Sequence, residues 1–90
     1  MNQMTPDEVM GRGNAAQALL SDVTFTDVMN TLANFHTAAL LGSTPDAKET
    51  REHHFVMIRA LQEITEELAL WIQAKNSLVK RLAEEQEEFD

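Results

Sequence analysis

The sequence predicts an all-α protein: a short N-terminal helix, then an antiparallel helical hairpin with a long C-terminal arm and coiled-coil-like packing. Two observations predict it. From Ile58 through Leu61, Thr65 and Leu68 to Ile72 the apolar spacing is 3, 4, 3, 4. That seven-residue repeat lets one helix bury a stripe against another. Upstream, Phe25, Val28, Met29, Leu32, Phe35 or His36, and Ala39 recur at helical spacing and stop at Gly42-Ser43-Thr44-Pro45, a helix stop followed by a helix start.

The elements follow in chain order. Thr5-Pro6-Asp7-Glu8 is a compact start signal, with Thr5 as cap, Pro6 at the first helical position and Glu8 placed as in a capping box. A first helix is expected over residues 5–20. It contains Gly11 and Gly13, each costing about 1 kcal/mol against alanine, so it is expected to order only when docked. Ser21 to Thr24 connect it to a second helix over residues 25–41, with Asp22 or Thr24 as the cap. Gly42 is expected to end that helix in the left-handed conformation.

The third helix is expected over residues 45–83. Ser43 or Thr44 caps it, Pro45 opens it, and Asp46 and Glu49 suit the positive end of its dipole. Lys75, Asn76 and Ser77 interrupt its apolar row, which Leu78, Val79 and Leu82 resume. The carboxylates of Glu84, Glu85, Glu87, Glu88 and Asp90 lie at the unfavourable end of the dipole, so residues 84–90 are expected to fray. The second helix is too short to cover this rod. Leu68, Trp71, Ile72, Leu78, Val79 and Leu82 then need other cover, and a sister or partner chain is favoured over the glycine-containing first helix. The expected protein interface is Phe55, Ile58, Leu61, Leu68, Trp71, Ile72, Val79 and Leu82.

Composition narrows the function. Ninety residues suit a single helical domain of modest core, for which oligomerisation is a common remedy. The chain has no cysteine, which excludes disulfides and thiolate metal sites. Fifteen acids against seven bases give a net charge of −8. Such a surface repels phosphate backbones, so no direct nucleic-acid partner is expected. No apolar run is long enough to span a membrane, and the first residues do not read as a signal peptide.

Candidate chemistry is sparse. His36 lies before the turn and His53 and His54 after it, at comparable heights in a hairpin. Adjacent helical residues point about 100° apart, so only one of the pair can face His36. No zinc motif accompanies them, and no metal or cofactor is expected. Glu63, Glu66 and Glu67 read as a solvated face, and no nucleophile stands beside a histidine base, so no catalytic residue is assigned. Trp71 reads as a core or interface anchor.

From Ala18 to Asn76 the chain resembles a family of short helical-hairpin proteins of tailed phages and prophages. The resemblance rests on Ala18-Leu19-Leu20-Ser21-Asp22, Phe25, Ser43-Thr44-Pro45-Asp46, Glu49, Arg51-Glu52, Ala60-Leu61, Ile64, Leu68 and Ile72. Members are commonly encoded among virion-structure and DNA-packaging genes. The resemblance implies a non-enzymatic virion or assembly component that works through helix packing, as a homo-oligomer or on a larger phage structural protein. It would reside in the virion or the host cytoplasm. The alternative is an acidic inhibitor or adaptor that blocks a host defence or DNA-binding protein.

Overall fold

Local capping chemistry sets the helix starts in the computed structural model, which describes residues 3–89. Helix α1 spans Pro6–Leu20. The Thr5 hydroxyl accepts from the Glu8 amide at 3.2 Å, and Pro6, which lacks an amide hydrogen, sits where none is needed. Helix α2 spans Val23–Leu41. It begins two residues earlier than the spacing suggests, because the Asp22 carboxylate accepts from the Phe25 amide at 2.8 Å. Helix α3 spans Lys48–Phe89. No strand occurs among the described residues, and the protein is all-α.

The turn between α2 and α3 differs from its sequence reading in two ways. Gly42 has φ −86°, in the right-handed region, so α2 ends without a left-handed residue. The Gly42 amide still bonds to the Ala38 carbonyl at 2.9 Å, and the Ser43 hydroxyl takes up the Leu40 carbonyl at 2.7 Å. These two bonds satisfy carbonyls that a left-handed glycine would otherwise have served. Pro45 does not open α3. It lies inside a turn closed by the Ala47 amide on the Thr44 carbonyl at 3.0 Å, the position where proline's fixed φ suits a turn. The Arg51 guanidinium donates to the same Thr44 carbonyl at 2.6 Å, which ties the turn to the first residues of α3. A hydrogen bond from the Thr44 side chain, helped by its own backbone amide, holds the Asp46 carboxyl below the usual carboxylate range.

The far end of α3 also departs from expectation. The helix runs unbroken through Lys75, Asn76 and Ser77 and continues to Phe89, past the expected fraying point at Ala83. Residues 81–88 are all exposed, so tertiary packing does not hold this end. Alanine, glutamate and glutamine are strong helix formers, and Arg81 stands 4.0 Å from Glu85 one turn on. Together these offset the repulsion between the carboxylates and the dipole.

The chain forms two compact units, each including part of α3. In one, residues 22–66, helix α2 meets the first part of α3; its buried side chains are His36 and Leu61. The other joins residues 1–21 to residues 67–90, and Gly13, Ala16, Leu68 and Leu78 are buried there.

This second unit corrects the expectation that the distal half of α3 lacks a partner within the chain. Helix α1 packs on it, and the glycine that weakens α1 is what permits the contact. A Cβ built on Gly13 overlaps the Cβ of Lys75, whereas one built on Gly11 meets nothing within 4 Å. Lys75, which interrupts the apolar row of the sequence, lays its stem on Gly13 and donates from its ammonium to the Gln17 side chain at 2.8 Å. The two glycines therefore carry opposite predictions. Gly11→Ala should raise stability in urea by about 1 kcal/mol, the helix-propensity gain. Gly13→Ala should lower it by about 1–3 kcal/mol through overpacking. Equal stabilisation by both changes would contradict the close approach at Gly13.

Candidate functional site

Two side-chain clusters and a set of uncovered apolar residues are the features with functional potential. The first cluster lies where α2 faces the start of α3. Nδ1 of His36 is 2.8 Å from Nδ1 of His54, so one ring donates and the other accepts. His36 is buried and His54 half-buried, while His53 is exposed. It is His54, therefore, that turns toward His36. Phe35 packs edge-on against both rings, with centroids 5.1 Å from His36 and 6.1 Å from His54. Among the described residues, no group of three or more His, Cys, Asp or Glu side chains is placed to hold a metal ion.

The chemistry open to this pair is proton-linked. The shared bond needs at least one neutral imidazole, because two protonated rings offer no acceptor and repel each other. Desolvation, then the nearby His36 and His53 rings, push the His54 pKa below its ordinary value.

The second cluster belongs to α1 and the distal part of α3. The Arg12 guanidinium carbon lies 3.7 Å from the centroid of the Trp71 ring, a cation–π stack. The same guanidinium donates to the Met4 sulfur at 2.8 Å, and the Trp71 indole donates to Glu67 at 3.2 Å. Met4, Val9, Arg12, Trp71 and Ala74 surround a shallow cleft here. Trp71 is thus a half-buried packing residue, with Arg12 across one face of its ring.

The sequence-predicted interface separates into three groups. Leu61 and Leu68 are buried within the chain. Ile58, Trp71 and Ile72 are partly covered. Phe55, Val79 and Leu82 are exposed, Phe55 by 57%. Ile58 and Leu61 also line one side of an open groove of about 690 Å³, opposite Met29, Ala33 and Thr37 of α2.

Sequence reasoning missed a further exposed set on α2: Val28, Leu32 and Phe35, the last exposed by 60%. Helical spacing places them on one amphipathic face with Phe25, Met29 and Ala39, and does not tell which of these residues stay exposed. Comparisons of the chain with protein families, curated proteins and solved structures give no match.

The histidine pair generates a pH prediction. In the unfolded chain His54 takes up its proton near pH 6.5; in the folded chain it does so at lower pH. Between those values the unfolded state binds more protons, so stability falls as pH drops below about 6.5 and is fully present above it. Urea unfolding from about pH 7.5 to about pH 5 should show this slope, and His54→Asn should flatten it. An unchanged slope in the variant would place the proton linkage elsewhere.

Proposed function

We propose that this chain is a non-enzymatic phage virion or assembly component that acts through helix packing, in an oligomer or on a larger structural protein. The observation that carries the reading is how much apolar surface the fold leaves uncovered. No large side chain among the described residues is fully buried, and Phe55, Val79 and Leu82 lie on the surface of α3. A chain of this kind gains by burying such residues against another protein. In this reading α2 and the first part of α3 are an antiparallel hairpin with coiled-coil-like packing. The short turn and the meeting of His36 with His54, at similar distances from it, support that arrangement. The phage assignment is supported by the resemblance carried by Ala18 to Asp22 and by Ser43 to Asp46.

One observation favours the acidic-inhibitor reading. Glu84, Glu85, Glu87 and Glu88 are held on a helix rather than on a loose tail, which gives their carboxylates a fixed spacing. A basic, DNA-binding protein is the partner such an array would suit. The array is short, and the apolar surface is the larger feature.

The two readings part on what the chain accompanies. Particles and assembly intermediates purified from cells producing the phage should contain the chain, detected by mass spectrometry. Phe55→Asp should lower its incorporation by about tenfold while leaving the circular-dichroism helix signal intact, the loss expected for one interface anchor. Absence from every particle fraction, with recovery on a non-structural host protein, would favour the inhibitor.

A further inference from the structure

All three histidines of the chain, His36, His53 and His54, lie in the unit where α2 meets the first part of α3. Histidine is the side chain whose ordinary pKa puts its charge change between pH 5 and 8. Mild acid therefore acts on this contact and finds no histidine in residues 1–21 and 67–90.

The pair that meets there is a hydrogen bond by geometry and not a chelate. Nδ1 of His36 and Nδ1 of His54 are 2.8 Å apart, and the ring centroids 5.1 Å. A centroid separation that wide places the two nitrogens head-on, each aimed at the other. Two imidazoles that share a metal ion converge instead on a point beside that line.

Head-on geometry sets how many protons the pair can hold. A first added proton enters on the outer Nε2 of the donating ring, which still donates through Nδ1. A second must enter on the accepting Nδ1, where it removes the acceptor and sets two cations face to face. The surroundings do not offset that charge. Phe35, packed against both rings, is apolar. On α3, Arg51 is engaged with Thr44, Lys48, Glu49 and Glu52 are exposed, and His53 adds a like charge. On α2 the single formal charge is Asp27, nine residues before His36. Among the described residues no carboxylate pairs with any of the three rings. Desolvation, then His36 and His53, accordingly hold the His54 pKa below its ordinary value.

Little else is buried at this contact. In residues 22–66 the buried side chains are His36 and Leu61, so one of the two is a group that acid can charge. In the other unit Ala16, Leu68 and Leu78 are buried, and none of them titrates. We infer that the His36–His54 bond is an acid-sensitive latch: a second proton breaks it and releases α2 from α3, while α1 stays docked. Release uncovers Leu61 and the inner side of α2, so acid changes the apolar surface that the chain offers to a partner. The inference stands apart from the assembly reading and holds or fails without it.

Amide exchange of the full chain, expressed as protection relative to the unfolded rate at each pH, tests the latch from about pH 7.5 to about pH 5. The α2 amides from Met29 to Ala39 should lose protection by up to about tenfold per pH unit as the pair titrates, the slope for one proton taken up on release. Those from Ala15 to Leu19 in α1 should keep theirs. Trp71, the single tryptophan of the chain, stands against Arg12 of α1, and its fluorescence should stay constant. Constant protection of α2 down to pH 5 overturns the inference. Equal loss in α1 and α2 does so too, since it marks unfolding of the whole chain. The double variant His36→Leu with His54→Leu replaces both partners by apolar groups, a change that can be nearly neutral for stability. Its α2 should stay protected at pH 5, and opening there as in the parent would remove the pair from the account. If the variant does not fold at pH 7.5, the contrast between α1 and α2 in the parent decides.

Discussion

The structure depends on one stripe of α3. His54, Leu61, Leu68 and Lys75 recur every seven residues, and each meets a partner or is buried within the chain. Neither shorter helix has comparable resources. At fifteen and nineteen residues, α1 and α2 are near the length at which isolated helices are marginal in water. Helix α1 adds two glycines to that handicap. Their order therefore comes from docking on α3, and the two units share a helix that neither could do without.

This dependence explains the character of the surface. A helix packed against one neighbour at a time buries a narrow stripe, and among the described residues only Ala16, Leu61, Leu68 and Leu78 are buried as apolar core. The apolar residues beside the stripe stay in contact with water. Such a fold is stabilised by anything that covers them, which is why its architecture and the proposed assembly role point in the same direction. The histidine pair adds a second consequence. Placing two ionisable rings at the contact between α2 and α3 makes that contact sensitive to proton uptake in a way that an apolar pair would not.

Much of the architecture was legible in the sequence because it follows from local chemistry. Thr5 and Asp22 cap the helices they precede, and the seven-residue repeat marks the buried stripe of α3 through Leu61 and Leu68. What escaped depended on contacts between distant residues. Lys75 looked like an interruption because its charge was visible and its apolar stem was not. Gly13 looked like a weakness because its cost is local, whereas its use arises some sixty residues along the chain, at Lys75. Pro45 fits both a first helical position and the second position of a turn, and the Arg51 bond to Thr44 accompanies the turn. Of the candidate site, spacing showed that one of His53 and His54 faces His36, but not that it is His54. The exposure of Val28, Leu32 and Phe35 was not readable, because periodicity reveals that a residue is apolar and not whether anything covers it.

Amide hydrogen exchange of the dilute chain, followed residue by residue across α1, tests the central claim most directly. A glycine-containing helix of this length has little order on its own, so protection from Ala15 to Leu19 reports its docking on the distal part of α3. The account predicts slow exchange there, lost in Gly13→Ala while the α3 amides around Leu61 remain protected. Exchange of α1 at the unprotected rate in the parent chain would contradict it, and would return the cover of Leu68 and Leu78 to another molecule.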